Sequence, residues 1–184
     1  MTNPSSPSLS RVRQPLSRRV HLVMRDGTMV EGQILIGEDQ TLVPYLNGRR
    51  GGWVNVSRAH RPKLNEAPGH VIVQTEHIIL ATAPDGDLQI ATAPPSGVEE
   101  RNIEAVLLGG KVMRGFVNAT ARQRLSDYIG SQTGKFMWLQ RASLEPDGRA
   151  LGDLALNMGA IEILKDLRDG APIDEGSSAV EPLA

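Results

Sequence analysis

The chain of 184 residues contains no cysteine. That removes disulfide frameworks and thiolate metal sites, so redox chemistry gives no argument for secretion and a reducing cytoplasm is the default location. Aromatic residues make up 3% of the chain, two each of Trp, Tyr and Phe, too few for the stacking platforms that hold single-stranded bases. No segment approaches the roughly 18 apolar residues of a membrane helix, which predicts a soluble protein with no membrane span. Acidic residues are missing before Asp26, while Arg11, Arg13, Arg18 and Arg19 crowd the same stretch. This Ser- and Arg-rich opening has the composition of a transit peptide, but Pro4, Pro7 and Pro15 interrupt the amphipathic helix such peptides need. It reads as a disordered basic tail over 1–19, with an acidic counterpart over 167–184 carrying Asp169, Asp174, Glu175 and Glu181. The formal net charge of -1 and pI near 6.4 give no global attraction to nucleic acid or an anionic membrane.

The residue patterns of catalysis are missing too. No Ser-His-Asp ordering, G-x-S-x-G elbow, phosphate-cradling P-loop or H-E-x-x-H pair occurs. The expectation is a protein that is not an enzyme and needs no cofactor.

What the chain does contain is a repeat. Shifted by 83 positions without a gap, Gly27 falls on Gly110, Gly32 on Gly115, Leu42 on Leu125, Tyr45 on Tyr128, Gly51 on Gly134, Trp53 on Phe136, and Arg58-Ala59 on Arg141-Ala142. The agreement continues from Gly69 and Gly152 to Leu80 and Ile163. Two copies that keep core and turn positions while their surfaces diverge leave this kind of sparse identity. With 40% apolar and 22% charged residues the composition is globular.

Each copy reads as strands. Two β-rich runs flank Asp26-Gly27, a strong hairpin signal, and Gly109-Gly110 supplies an equivalent turn in the second copy. A third strand starts at Trp53 or Phe136, and two more follow in "HVIVQ" and "HIILA", or "DLALN" and "AIEIL". Five short strands in so short a unit predict an all-β fold of two tandem small five-stranded barrels, over 20–83 and 103–166. Gly32 and Gly115 lie inside the second strand, where a missing side chain lets a strand bend. The linker 84–102 is marked by Pro and Gly, although its "LQIATA" suits an extra edge strand.

Several residues in each copy resemble the Sm-like, SH3-type family of small β-barrels. They are the Asp26-Gly27 hairpin, the second glycine at Gly32, the acidic Glu38 six residues later, and the apolar pair Val73 and Ile78. The resemblance implies a ring-forming RNA-binding ancestor. The chemistry of the family's second motif is replaced, by "VQTEHI" in one copy and "LNMGAI" in the other, and its RNA-contacting asparagine falls on Leu42 and Leu125. The segment "LVPYLNGRRGG" is also longer than the family's usual connection between second and third strands. Separately, the Arg-Leu-Ser-Asp-Tyr run at 124–128 is similar to an uncharacterised bacterial domain family, which implies no activity.

Among single residues, Tyr45 and Tyr128 share one repeat position and are expected to pack over a barrel end. Ser126-Asp127 reads as a local turn, since Val43-Pro44 stand there in the first copy. His21, His60, His70 and His77 meet Glu104, Ser143, Asp153 and Ala160 at the repeat offset, so they read as surface histidines and no metal site is expected. Arg49 and Arg50, on the glycine-flanked "NGRRGG", are the candidate anion or RNA contacts. Alternation along "WVNV" and "FMWL" puts Val54, Val56, Met137 and Leu139 inside, and Trp53, Phe136 and Trp138 on the opposite face. Those three aromatics predict an interface, either for a partner or where the two barrels meet. The leading expectation is a scaffold or regulatory adaptor that binds a protein partner, or itself, through strand edges and this aromatic patch. The alternative is RNA binding by Arg49, Arg50 and the tail arginines, and a weaker third is a hydrolase centred on Asp127 and Tyr128.

Overall fold

In the computed structural model, which describes residues 15–38, 40–64, 66–86 and 96–167, the runs on either side of Asp26-Gly27 form an antiparallel hairpin. Strand β1 (Leu16–Met24) pairs with β2 (Met29–Ile36), with Val20 opposite Gly32. Gly27 closes the turn at φ 81°, a left-handed conformation that only glycine adopts freely, and the Thr28 N–H donates to Asp26 Oδ1 at 2.8 Å. Side chains alternate as a half-buried strand requires: Val20 and Leu22 of β1, with Ile34 and Ile36 of β2, point into one apolar cluster.

The first unit continues through α1 (Leu42–Asn47), β3 (Trp53–His60), β4 (Gly69–Gln74), a single 3₁₀ turn at Thr75–His77, and β5 (Ile78–Thr82). The second unit repeats the order as β6 (Val98–Leu107), β7 (Val112–Thr120), α2 (Leu125–Ser131), β8 (Phe136–Glu145), β9 (Arg149–Asn157), a 3₁₀ turn at Met158–Ala160, and β10 (Ile161–Asp166). Even an unusual backbone conformation recurs. Arg58 at φ 49° and Arg141 at φ 47° are the non-glycine residues with positive φ among those described, and they stand at one repeat position. Each sits where strand pairing shifts register, between Val56 and Ala59 or between Leu139 and Ala142, so each marks a bulge that bends its strand. Gly32 and Gly115 serve the same bend by close approach. A Cβ on Gly32 would lie 2.5 Å from Val56 Cγ1 and 2.9 Å from the Ser57 carbonyl oxygen, and one on Gly115 would lie 2.7 Å from Leu139 Cγ.

Among the described residues, strand order runs β10-β6-β7-β8-β9-β5-β1-β2-β3-β4 in one antiparallel sheet of ten strands. Within a unit, β4 and β5 are joined by only three residues yet occupy opposite ends of the five-strand order. Each unit must therefore curl until its end strands approach. The curl does not close: the outer edge of β5 pairs with β9 instead, Leu80 opposite Leu156 and Ala81 opposite Ala155. The all-β expectation holds, whereas two separate closed barrels are replaced by a continuous sheet. The physical reason is that both edges expose unpaired N–H and C=O groups, which pairing with each other satisfies.

Several boundaries also move. β1 starts at Leu16, inside the stretch expected as tail, because its first residues already pair with β2, Leu16 opposite Ile36 and Arg18 opposite Ile34. β6 starts at Val98, inside the expected linker. The long connection after the second strand holds a short helix in each unit. The stretches 1–14 and 168–184, and the "LQIATA" of the linker, lie outside the described residues.

Candidate functional site

Two apolar clusters lie within the two curls, and each borrows from the other unit. Phe136 and Ala155 join the first cluster, with Leu42, Leu46 and Ile78, while Ile79 and Leu80 join the second, with Met137, Leu139 and Leu156. The joint between the units is thus core rather than surface. Polar groups lock it. Asn47, at the end of α1, donates from Nδ2 to the Phe136 carbonyl at 2.9 Å and accepts the Phe136 N–H at Oδ1 at 2.8 Å. Its amide acts on the β8 backbone as a neighbouring strand would. Gly134 leaves room for this, since a Cβ there would collide with the Asn47 amide. Asn157, 2% exposed at the end of β9, donates to the Ile78 carbonyl at 2.7 Å and the Thr75 carbonyl at 3.3 Å, and accepts from the Gly159 N–H at 2.9 Å. Arg25, beyond β1, reaches the carbonyls of Glu76 at 2.8 Å and Gly159 at 3.2 Å.

The three aromatics predicted as an interface divide accordingly. Phe136 and Trp138 do face away from Met137 and Leu139, but they are not exterior. Phe136 is 1% exposed in the first cluster and Trp138 is half-buried against it. The face that alternation assigns to them is covered by the first unit. Trp53, the repeat counterpart of Phe136, is 52% exposed.

Arg49 and Arg50 are exposed beyond α1, and the Arg49 guanidinium lies 3.8 Å from the centre of the Tyr45 ring. Burial pushes the Tyr45 phenol above its ordinary range, with Arg49 opposing the shift, and burial does the same for Tyr128. Asp127 and Ser126 are exposed on α2. His60 Nε2 stands 3.6 Å from Glu31 Oε2. Among the described residues no group of three or more His, Asp or Glu is placed to hold a metal ion, and no helix is long and apolar enough to cross a membrane.

Among the described residues the sheet ends in two open edges, β4 and β10. Ile72 on β4 is 59% exposed and Ile163 on β10 is 53% exposed. Beside β10 runs a groove of about 580 Å³ whose apolar lining comes from Leu125 and Ile129 of α2, Met158, and Ile161 and Leu164 of β10. β10 is itself tethered. Lys165 Nζ lies 2.8 Å from Glu104 Oε1, and Arg114 donates to Glu104 Oε2 at 2.8 and 3.0 Å. Lys165 first, and Arg114 after it, hold the Glu104 carboxyl below its ordinary range. A second groove of about 580 Å³ lies between the units, with Arg25, Lys111 and Arg149 around a floor that includes Val23, Leu80 and Leu107. A smaller cavity of about 320 Å³ at the joint is lined in part by Asn118, Tyr128 and Trp138.

Comparison with known proteins yields no match, whether to a family model, a curated protein or a solved structure. Sequence reasoning missed Asn47, Gly134 and Asn157 as joint residues. A signal existed for the two asparagines, because the repeat places Gly130 at the position of Asn47 and Gln74 at that of Asn157.

Proposed function

We propose that the protein is a non-enzymatic cytoplasmic scaffold built from two open barrels of the Sm-like, SH3-like kind, which recruits another chain by strand addition at its free edges. The observation that carries this reading is the pair of outer strands, β4 and β10, which have no further strand beside them among the described residues and each carry a large exposed aliphatic side chain at the centre. An open edge offers a row of donors and acceptors, and proteins that avoid pairing protect such edges with charge or proline. β4, "GHVIVQ", carries no Lys, Arg, Asp, Glu or Pro. Affinity capture from the native cytoplasm, with wild type beside an Ile72→Lys/Ile163→Lys variant, tests it. A chain recovered in stoichiometric amount by the wild type and lost with the variant is expected; equal recovery by both removes the edges from the function.

The exposure of Arg49 and Arg50 on one turn supports RNA as the alternative partner. That reading requires oligo-U retention on a filter that falls steeply with salt.

A further inference from the structure

The joint between the two units is a template for a second joint, between molecules. Shifted by the repeat, the pairing of Leu80 with Leu156 becomes Ile163 with Val73, and that of Ala81 with Ala155 becomes Leu164 with Ile72. Those four residues lie on β10 and β4, the open ends of the sheet. The aromatic anchor follows the same correspondence. Phe136 is buried in the cluster that holds Leu42, Leu46, Ile78 and Ala81. Their counterparts are Leu125, Ile129, Ile161 and Leu164, and these line the 580 Å³ groove between α2 and β10. The counterpart of Phe136 itself is Trp53, exposed at the start of β3 beside the other open edge. One end of the molecule carries an unfilled aromatic site, and the other carries an uncovered aromatic.

We infer that a second copy of this chain docks head to tail, its β4 edge pairing with β10 and its Trp53 entering the groove of Leu125, Ile129, Ile161 and Leu164. This rests on the edge-recruiting reading above and names the recruited chain. Gln74 takes the place of Asn157, its amide carried one methylene further toward the carbonyls of Ile161 and Met158, the counterparts of Ile78 and Thr75. Gly130 takes the place of Asn47, so the two hydrogen bonds that clamp Phe136 have no equivalent. The intermolecular joint is therefore the weaker one and depends on concentration. Because it uses two different surfaces, it adds copies until a ring closes, or extends as a filament where the rotation does not close.

The test uses the purified full-length chain in size-exclusion chromatography with light scattering, over about a hundredfold range of concentration. Mass is expected to rise to multiples of the monomer. Trp53→Ala and Ile129→Lys, both checked for a wild-type circular dichroism spectrum and melting temperature, are each expected to weaken association at least about tenfold, as loss of an interface anchor does. An equimolar mixture of the two variants retains one intact joint, Trp53 of the Ile129→Lys chain in the groove of the Trp53→Ala chain. It is expected to give a dimer that grows no further. A wild type that stays monomeric throughout, or oligomers indifferent to Trp53→Ala and Ile72→Lys, overturns the inference. A monomeric protein that still captures a different chain through Ile72 and Ile163 overturns the second copy alone and leaves the edge reading standing. Capture indifferent to both residues overturns that reading as well.

Discussion

Helices α1 and α2 hold the same place in the repeat, yet α1 buries Leu42, Val43, Tyr45 and Leu46 while α2 buries none of its residues completely. The difference lies in what covers them. β8 and β9 of the second unit pack Phe136 and Ala155 into the cluster that contains α1, and among the described residues no strand does the same for α2. The sequences have diverged to suit. Val43-Pro44 becomes Ser126-Asp127, which suits a helix with one side in water. Two copies of one unit thus differ chiefly because each has a neighbour on a different side.

The sharpest way to break this comparison is to truncate the two equivalent aromatics. Phe136→Ala is expected to lower the free energy of unfolding by about 3–5 kcal/mol, the cost of emptying a buried aromatic site. Trp53→Ala is expected to cost less than about 1 kcal/mol at dilutions where the protein is monomeric, as exposed positions do. Urea denaturation of both variants measures the gap, and equal losses would mean that the two positions are not distinguished by the joint.

A smaller contrast separates two equivalent glycines. Gly134→Ala drives a methyl into the Asn47 amide and is expected to cost about 1–3 kcal/mol. At Gly51 the nearest atom a Cβ would meet is Trp53 Cδ1, 3.7 Å away, so Gly51→Ala leaves the melting temperature unchanged. Adding Asn47→Ala to Gly134→Ala is expected to return part of the loss, because the clash then disappears.

The smallest effect concerns pH and the second unit alone. Lys165 and Arg114 depress the Glu104 carboxyl, so its contribution to stability is present above the ordinary carboxylate value of about 4.3 and is lost as pH falls through the depressed folded value. The stability difference between wild type and Glu104→Gln, followed by urea denaturation, should shrink between pH 7 and pH 3. The first unit has His21 at this position and no carboxyl to depress.

Much of the fold was legible because its determinants are local. The Asp26-Gly27 turn, the alternation along β3 and β8, and the glycines within β2 and β7 each act on their own few residues. The candidate site was legible in part. Alternation correctly turned Phe136 and Trp138 away from the second core, but a face is not a surface until its covering is known. The strand boundary slipped at β1, where the charged pair Arg18 and Arg19 fills the outer end of a strand whose buried residues begin only at Val20.

By itself the sequence determined the twofold repeat, the strand character and the side of each strand that turns to a core, because side-chain spacing records those directly. Only the tertiary structure decided that β5 joins β9, that Asn47 and Asn157 lock the seam, and that Phe136 is enclosed while Trp53 stands open. Pairing between strand edges is made by backbone N–H and C=O groups, which every non-proline residue carries alike, so the choice of neighbour leaves almost no trace in the order of the side chains.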